Sequence, residues 1–364
     1  MSVVATVDAP DLVVREVPPA QGRILVRLPN WLGDVVMAAP TVAAIHAARP
    51  EAELIAMIKK PFMALAAQLP GVTQVVPAGR DKSPGDLARS RKALKALELD
   101  AAVILPRSTR AQVAPWLAGI DERVGFAGKG RGFLLTHGVS GWKPYRGAHR
   151  SAWFGLLARA FGTHAGEAWL LDVPAEGRDA ARQLLDDLGR DATKPLVVLE
   201  PGASYGPAKC WPAPYFGELA KRLMADGCDV ATVGTDETKP VEAEVDAAAG
   251  GGILKTAGRT PDLLALLGVL AEASLVVSND TGPMHLAATV GAPVLALFGA
   301  TDPVVSSPLG QRERRLLYEP EPCSPCFLRT CPIEGHPCLT KIGVGRVHRE
   351  VRTMLAETGT GAES

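Results

Sequence analysis

Short apolar runs alternate with longer stretches of helical spacing along the whole chain. The run 24–28, Ile-Leu-Val-Arg-Leu, ends at Pro29-Asn30 and predicts a buried strand entering a loop. Helical spacing follows over 35–48, with Pro40 implying a kink or a late start. Strands are predicted at 54–58, 75–76 and 101–105, and helices at 62–69, 87–97, 109–117 and 153–161. The second half repeats this plan, with strands at 196–199, 229–233, 275–277 and 294–298. Its helices fall at 180–188, 215–224, 263–270 and 284–290. Strands alternating with helices imply parallel βαβ units with right-handed crossovers.

The pattern divides the chain into a loosely attached N-terminal arm over 1–22, α/β domains over 23–175 and 176–350, and a C-terminal tail over 351–364. A length of 364 residues agrees with two domains, and 47% hydrophobic residues can bury a sizeable core. Glycine and proline together make up about 18% of the chain, below the level of low-complexity disorder. Lysine plus arginine equals aspartate plus glutamate, 39 each, which argues against a dedicated nucleic-acid binder. The first 22 residues lack the basic start and apolar core of an export signal, and no run of ~18 uncharged apolar residues appears. The expectation is a cytoplasmic protein.

Open α/β sheets bind ligands beyond the carboxyl ends of their strands, so the loops after strands carry the chemistry. The first, Pro29-Asn30-Trp31-Leu32-Gly33-Asp34, has Gly33 for a tight turn and Asp34 at a helix start. From the loop alone a helix cap is the favoured role for Asp34, with a general base as the sharper alternative. No G-x-G-x-x-G is present. The second, Glu200 to Pro212, strings small residues including Ser204 ahead of Lys209, a composition that wraps phosphates with backbone N–H groups and one cation. It equally describes a surface turn with a solvated lysine. The third runs Ser278-Asn279-Asp280-Thr281-Gly282 straight into a helix carrying His285, and can aim N–H groups at an anion. A histidine in that position is more often structural than catalytic.

Three motifs in this order resemble glycosyltransferase family 9: Gly33-Asp34 followed by the Pro40 helix; Pro201-Gly202-Ala203 with Gly206-Pro207-Ala208-Lys209 and Trp211-Pro212; and 278–285 followed by Gly291-Ala292-Pro293 and Leu297-Phe298-Gly299. The resemblance covers about residues 23–350 and is strongest to the family's lipopolysaccharide heptosyltransferase II branch. It implies a GT-B fold, two Rossmann-like doubly wound domains facing across a cleft. It also implies inverting transfer of heptose from ADP-heptose to the inner core of lipopolysaccharide. Asp34 then matches the family's catalytic base and Lys209 its phosphate-contacting lysine. Gly33, Ser204, Asp280, Thr281, Gly282 and His285 fall at the donor site. Asp236, beside Glu237, falls at an acidic position that contacts the nucleotide ribose. Cys210 stands where other members carry a basic residue. Inversion needs one displacement and one base, and lysine with helix dipoles can offset the charge of a leaving diphosphate without a required cofactor.

Arg107, Arg110, Arg123, Lys129, Arg131, Lys143, Arg146 and Arg150 crowd the end of the first domain. Each alone reads as part of a solvated face. Because the acceptor of the family the chain resembles is anionic, the resemblance implies that together, with Arg107, Arg110, Lys129 and Arg131 foremost, they dock an anionic glycolipid acceptor at the cytoplasmic face of the inner membrane. Cys323-x-x-Cys326, Cys331 and Cys338 have spacing suited to a tetrahedral structural zinc, and nearly as well to reduced thiols in a loop. Rival readings are a family 9 transferase with another donor or acceptor, a two-domain solute-binding protein and a regulatory metal-binding protein.

Overall fold

The computed structural model describes residues 15–18, 22–128, 130, 132–140, 147–166, 168–310 and 312–360. The chain forms two compact units, Met1–Trp169 and Leu170–Ser364.

The first unit alternates β1 (Arg23–Arg27), α1 (Leu32–Ala48), β2 (Glu53–Ile58), α2 (Met63–Ala66), β3 (Val72–Pro77), α3 (Pro84–Lys95), β4 (Ala101–Ile104), α4 (Thr109–Ala118), β5 (Glu122–Phe126), β6 (His137–Val139) and α5 (Arg150–Gly155). Its strands form one sheet in the order β3-β2-β1-β4-β5-β6, with every pairing parallel. Strands β1, β2 and β4 are buried almost throughout, because helices cover both faces of a doubly wound sheet and leave little place for polar alternation. Winding reverses between β1 and β4, so the loops leaving those strands flank a topological switch point.

The second unit contains α6 (Ala175–Asp187), β7 (Leu196–Glu200), α7 (Ala213–Ala225), β8 (Asp229–Thr232), α8 (Lys239–Ala249), β9 (Leu254–Lys255), α9 (Leu263–Ala271), β10 (Leu275–Asn279), α10 (Gly282–Thr289), β11 (Val294–Phe298), α11 (Pro303–Ser306), β12 (Arg314–Tyr318), α12 (Pro337–Thr340) and α13 (Val344–Thr360). The order β12-β11-β10-β7-β8-β9 repeats the first topology and places its switch point between β7 and β10. Trp211, Phe216, Leu219 and Leu223 pack one face of this sheet.

Four expectations are corrected. Residues 351–360 are not a tail: they continue α13, whose Val347, Val351 and Met354 are wholly buried in the core with Trp211 and Leu223. The described part of the arm, 15–18, is pinned rather than loose. Val17 N–H donates to Ala160 O at 2.7 Å, the Arg49 guanidinium reaches Val17 O at 3.3 Å, and Val17 is buried. The first unit ends at Trp169 rather than at 175, and Leu171 N–H donates to Thr289 O at 2.9 Å inside the second unit. Helix α1 starts at Leu32 with Trp31 at its N-cap, so Asp34 is not the cap. Asp34 lies in the first helical turn, and the helix runs on through Pro40 unbroken.

Candidate functional site

At the switch point of the second unit, β7 ends on Glu200 and β10 ends on Asn279. The loop after β7 is tied across to β10 by one side chain. Asn279 Nδ2 donates to Glu200 O at 3.2 Å and Gly202 O at 3.3 Å, while its Oδ1 accepts Trp211 N–H at 2.9 Å. Asn279 is fully buried, so these bonds also satisfy its amide. Trp211 is anchored in turn by its indole N–H, 2.8 Å from Ile342 O. The intervening turn presents Lys209 at the end of a short 3-10 segment, Pro207–Lys209.

Lys209 Nζ donates to Asp280 Oδ2 at 2.7 Å and to Asp280 O at 2.9 Å, and stands 5.2 Å from the centre of the Tyr205 ring. Asp280 is buried and also accepts Thr301 Oγ1 at 2.6 Å and Ser306 Oγ at 3.3 Å. The lysine is therefore held at one place, at the start of α10. Gly282 is the first residue of that helix and Pro283 follows, while Thr281 holds the N-cap position without capping through its side chain. Its hydroxyl oxygen instead lies in hydrogen-bond contact with Glu200 Oε2, 2.8 Å away. A helix start left uncapped beside an ammonium suits an anion. His285 is buried within α10. Ser204 is exposed in the turn ahead of Gly206. Asp236 stands apart in its contacts: it is largely exposed and pairs with Lys239 Nζ at 2.6 Å. Gly33 lies with Asp34 in the first turn of α1.

The cysteine-bearing segment braces the lysine turn. Ala208 N–H donates to Arg329 O at 3.0 Å, Tyr205 Oη donates to Phe327 O at 2.6 Å, and the Arg329 guanidinium lies 5.2 Å from the Tyr205 ring centre. Gly206 has φ of +148°, and a Cβ there would stand 2.4 Å from Arg329 O, so only glycine fits this approach. Cys323, Cys326, Cys331 and Cys338, expected as ligands of a structural metal, all lie on this segment. Among the described residues no group of three or more His, Cys, Asp or Glu side chains is arranged to hold a metal ion. Cys338 is turned into the core, where burial first, and the neighbouring Cys331, Cys323 and Cys326, push its thiol up to about 11. Cys323 is exposed, and Cys331 Sγ reaches Ile333 O at 3.6 Å.

In the first unit Asp34 is half-buried, and Arg150 Nε lies 3.9 Å from its Oδ1. The Arg150 and Arg107 guanidinium carbons stand 5.2 and 4.8 Å from the centre of one ring, that of Trp153. Trp153 is buried and stacks on Phe126 with centroids 4.2 Å apart. Arg107 follows β4 and Asp34 follows β1, so both flank the switch point. Arg110 is exposed in the first turn of α4. Arg123 does not belong with them: its Nε donates to Leu134 O at 2.8 Å, which fixes it within the fold. Lys129 and Arg131, like Lys143 and Arg146, lie outside the described residues. The sequence does not single out Glu200 and Asn279 as site residues, since they are visible only as polar ends of apolar strands, and it places Arg150 only within the basic cluster.

Two doubly wound parallel units, the second with an anion-suited cradle at its switch point, constitute the GT-B architecture of a glycosyltransferase. Residues 87–336 match the profile of glycosyltransferase family 9 (heptosyltransferase), and the chain belongs to that family. It is 27% identical over 314 residues to lipopolysaccharide heptosyltransferase 2 of Escherichia coli, covering 80% of this chain and 87% of that protein. The Salmonella typhimurium lipopolysaccharide heptosyltransferase 2 is 27% identical over 362 residues, covering 93% and 99%. Among solved structures, the E. coli ADP-heptose lps heptosyltransferase II superposes with a TM-score of 0.76 at 25% identity, covering 92% of this chain and 99% of that one.

Proposed function

We propose that this glycosyltransferase moves heptose from ADP-heptose to the inner core of lipopolysaccharide, with inversion at the anomeric carbon. The observation that carries the reading is the Lys209 ammonium fixed by Asp280 at the start of α10. A preorganised cation beside a helix N-terminus answers the charge that grows on a departing nucleoside diphosphate. The names of the E. coli and Salmonella relatives supply the sugar and the acceptor. The second unit takes the donor nucleotide, through Lys209, the Asp280-Thr281-Gly282 turn and Ser204, with Asp236 toward the ribose.

The first unit takes the acceptor. Asp34 removes the proton from the attacking hydroxyl as its oxygen displaces the diphosphate at the anomeric carbon. Arg150 and Arg107, gathered on Trp153 beside Asp34, draw an anionic sugar-phosphate acceptor. Among the described residues no helix is long and apolar enough to cross a membrane. On this reading the glycolipid is met by peripheral contact at the cytoplasmic face of the inner membrane, where the basic residues of the first unit face anionic headgroups. The test is transfer from a panel of nucleotide sugars to a defined, heptose-deficient core acceptor, read by mass spectrometry. ADP-heptose is expected to be the productive donor, and efficient transfer from a uridine- or guanosine-linked sugar instead would overturn the reading.

A further inference from the structure

Two carboxyl groups in the second unit share one cation. Asp280 and Glu200 are both buried, at 3% and 4% exposure, and Lys209 is the ammonium that faces them. The lysine is bound by Asp280, through both the carboxylate and the backbone carbonyl, and Thr301 and Ser306 add two hydroxyl donors to that carboxylate. Glu200 has far less. Thr281 Oγ1 lies 2.8 Å from its Oε2. Ser278 Oγ lies 3.3 Å away, but its single hydrogen has a better acceptor in Asn279 O at 2.8 Å. A buried carboxylate with one hydrogen bond and no counter-ion of its own is costly, whereas a carboxylic acid in the same place is not. Of the two carboxyl groups, Glu200 is therefore the one that holds a proton.

The protonation state decides what Thr281 can do. An ionised Glu200 only accepts, so it consumes the Thr281 hydroxyl hydrogen. A neutral Glu200 carries its own O–H. We propose that Glu200 is a proton-bearing positioning residue: its O–H donates to Thr281 Oγ1, which releases the Thr281 hydroxyl hydrogen to a phosphate oxygen of the bound nucleoside diphosphate. This rests on the reading of the Lys209–Thr281 cradle as the donor-diphosphate site. Charge balance supports it. With Glu200 neutral, Lys209 and Asp280 cancel and the incoming diphosphate meets no surplus negative charge; with Glu200 ionised it meets one. Burial raises the Glu200 carboxyl to about 8, against the lowering effects of Thr281, Ser278 and Lys209. The titratable groups facing it are Lys209, Asp280 and Cys210, and the Cys210 thiol lies at about 11, so it does not titrate in the same window.

The experiment is calorimetric titration of the whole protein with ADP from pH 6.5 to 9, for wild type, Glu200→Gln and Lys209→Ala. At pH 8.5 it is repeated in two buffers of different ionisation enthalpy. Wild type is expected to lose about tenfold in ADP affinity between pH 7 and 9, and to take up a proton on binding at the upper end. Glu200→Gln, whose amide N–H donates permanently in place of the acid, is expected to show a flat profile and no proton uptake. The uptake measurement needs only the wild-type protein, so it stands even if the variant misfolds. Binding by wild type without proton uptake, on a profile shared with Glu200→Gln, overturns the inference while leaving the donor site in place. Absence of ADP binding, or ADP binding unchanged in Lys209→Ala, overturns the donor-site reading and the inference together.

Discussion

Arg150 Nε stands 3.9 Å from Asp34 Oδ1, long for an ion pair, while the same guanidinium packs against the face of Trp153. The aromatic contact holds the arginine, and the carboxylate keeps its first-turn position on α1. At that distance the guanidinium does not form the bidentate pair that would occupy both carboxylate oxygens.

Asp34→Asn is therefore expected to lower turnover by ~10²–10⁴-fold, the usual cost of removing a general base, with ADP affinity unchanged. Steady-state transfer assays alongside ADP calorimetry check this. Turnover within a factor of a few of wild type would remove Asp34 from the chemistry.

Arg107→Ala combined with Arg150→Ala is expected to raise the acceptor KM and to flatten its dependence on ionic strength, with the donor KM unmoved. Exposed charges attract over no more than ~8–10 Å at physiological salt, so the wild-type acceptor KM should climb steeply as salt is added. Equal salt dependence for donor and acceptor in the wild type would mean that the two arginines only decorate the Trp153 surface.

Lys209→Ala is expected to weaken donor binding and to lower turnover, because the charge it meets grows as the diphosphate departs. Loss of one preorganised contact of this kind raises the barrier by about 3 kcal/mol, or roughly a hundredfold in rate. A change confined to the acceptor KM would place the lysine elsewhere in the reaction.

Gly206→Ala tests the brace between the lysine turn and the cysteine segment. Its backbone, at φ +148°, lies where a side chain is strained, and the new Cβ would meet Arg329 O at 2.4 Å. The expected cost is ~1–3 kcal/mol of stability with a parallel loss of ADP affinity, read by denaturant unfolding and calorimetry. Unchanged ADP affinity in a folded variant would show that the turn does not depend on the segment.

Glu200 also leaves a mark on stability. Its folded-state value, about 8, lies above the ordinary carboxylate value of 4.5, so the folded chain holds a proton that the unfolded chain releases. Stability from this group is full below the ordinary value and is lost as pH rises through about 8. The melting point of Glu200→Gln should accordingly gain on wild type between pH 5 and pH 8.5, on the order of 10 °C, since the linkage is about 4 kcal/mol and 1 kcal/mol moves a domain of this size by ~2–4 °C. Parallel melting curves across that range would mean that Glu200 is ionised in the folded protein.

The amino-acid sequence by itself determined the alternation of elements and the loops that matter. Apolar runs such as 24–28 and 294–298 are buried on both faces of a parallel sheet, so hydrophobicity alone marks them. The turns around Lys209 and Asp280 were legible because small residues, glycines and prolines punctuate the ends of those runs. Strands β5 and β12 were not legible. Both carry arginines, and those side chains are satisfied by partners remote in sequence, Arg123 by Leu134 O and Arg315 by Glu350 and Glu357. The end of helix α13, from 351 on, reads as a tail in the sequence because its amphipathic stripe has meaning only against Trp211 and Leu223. The spacing of the four cysteines gave no sign that Cys338 is buried or that their segment lies against the lysine turn. Tertiary structure alone decided the pairings that set the chemistry. Asp34 meets Arg150, and Asp280 takes the one lysine that Glu200 also faces, because switch points bring together loops far apart in sequence.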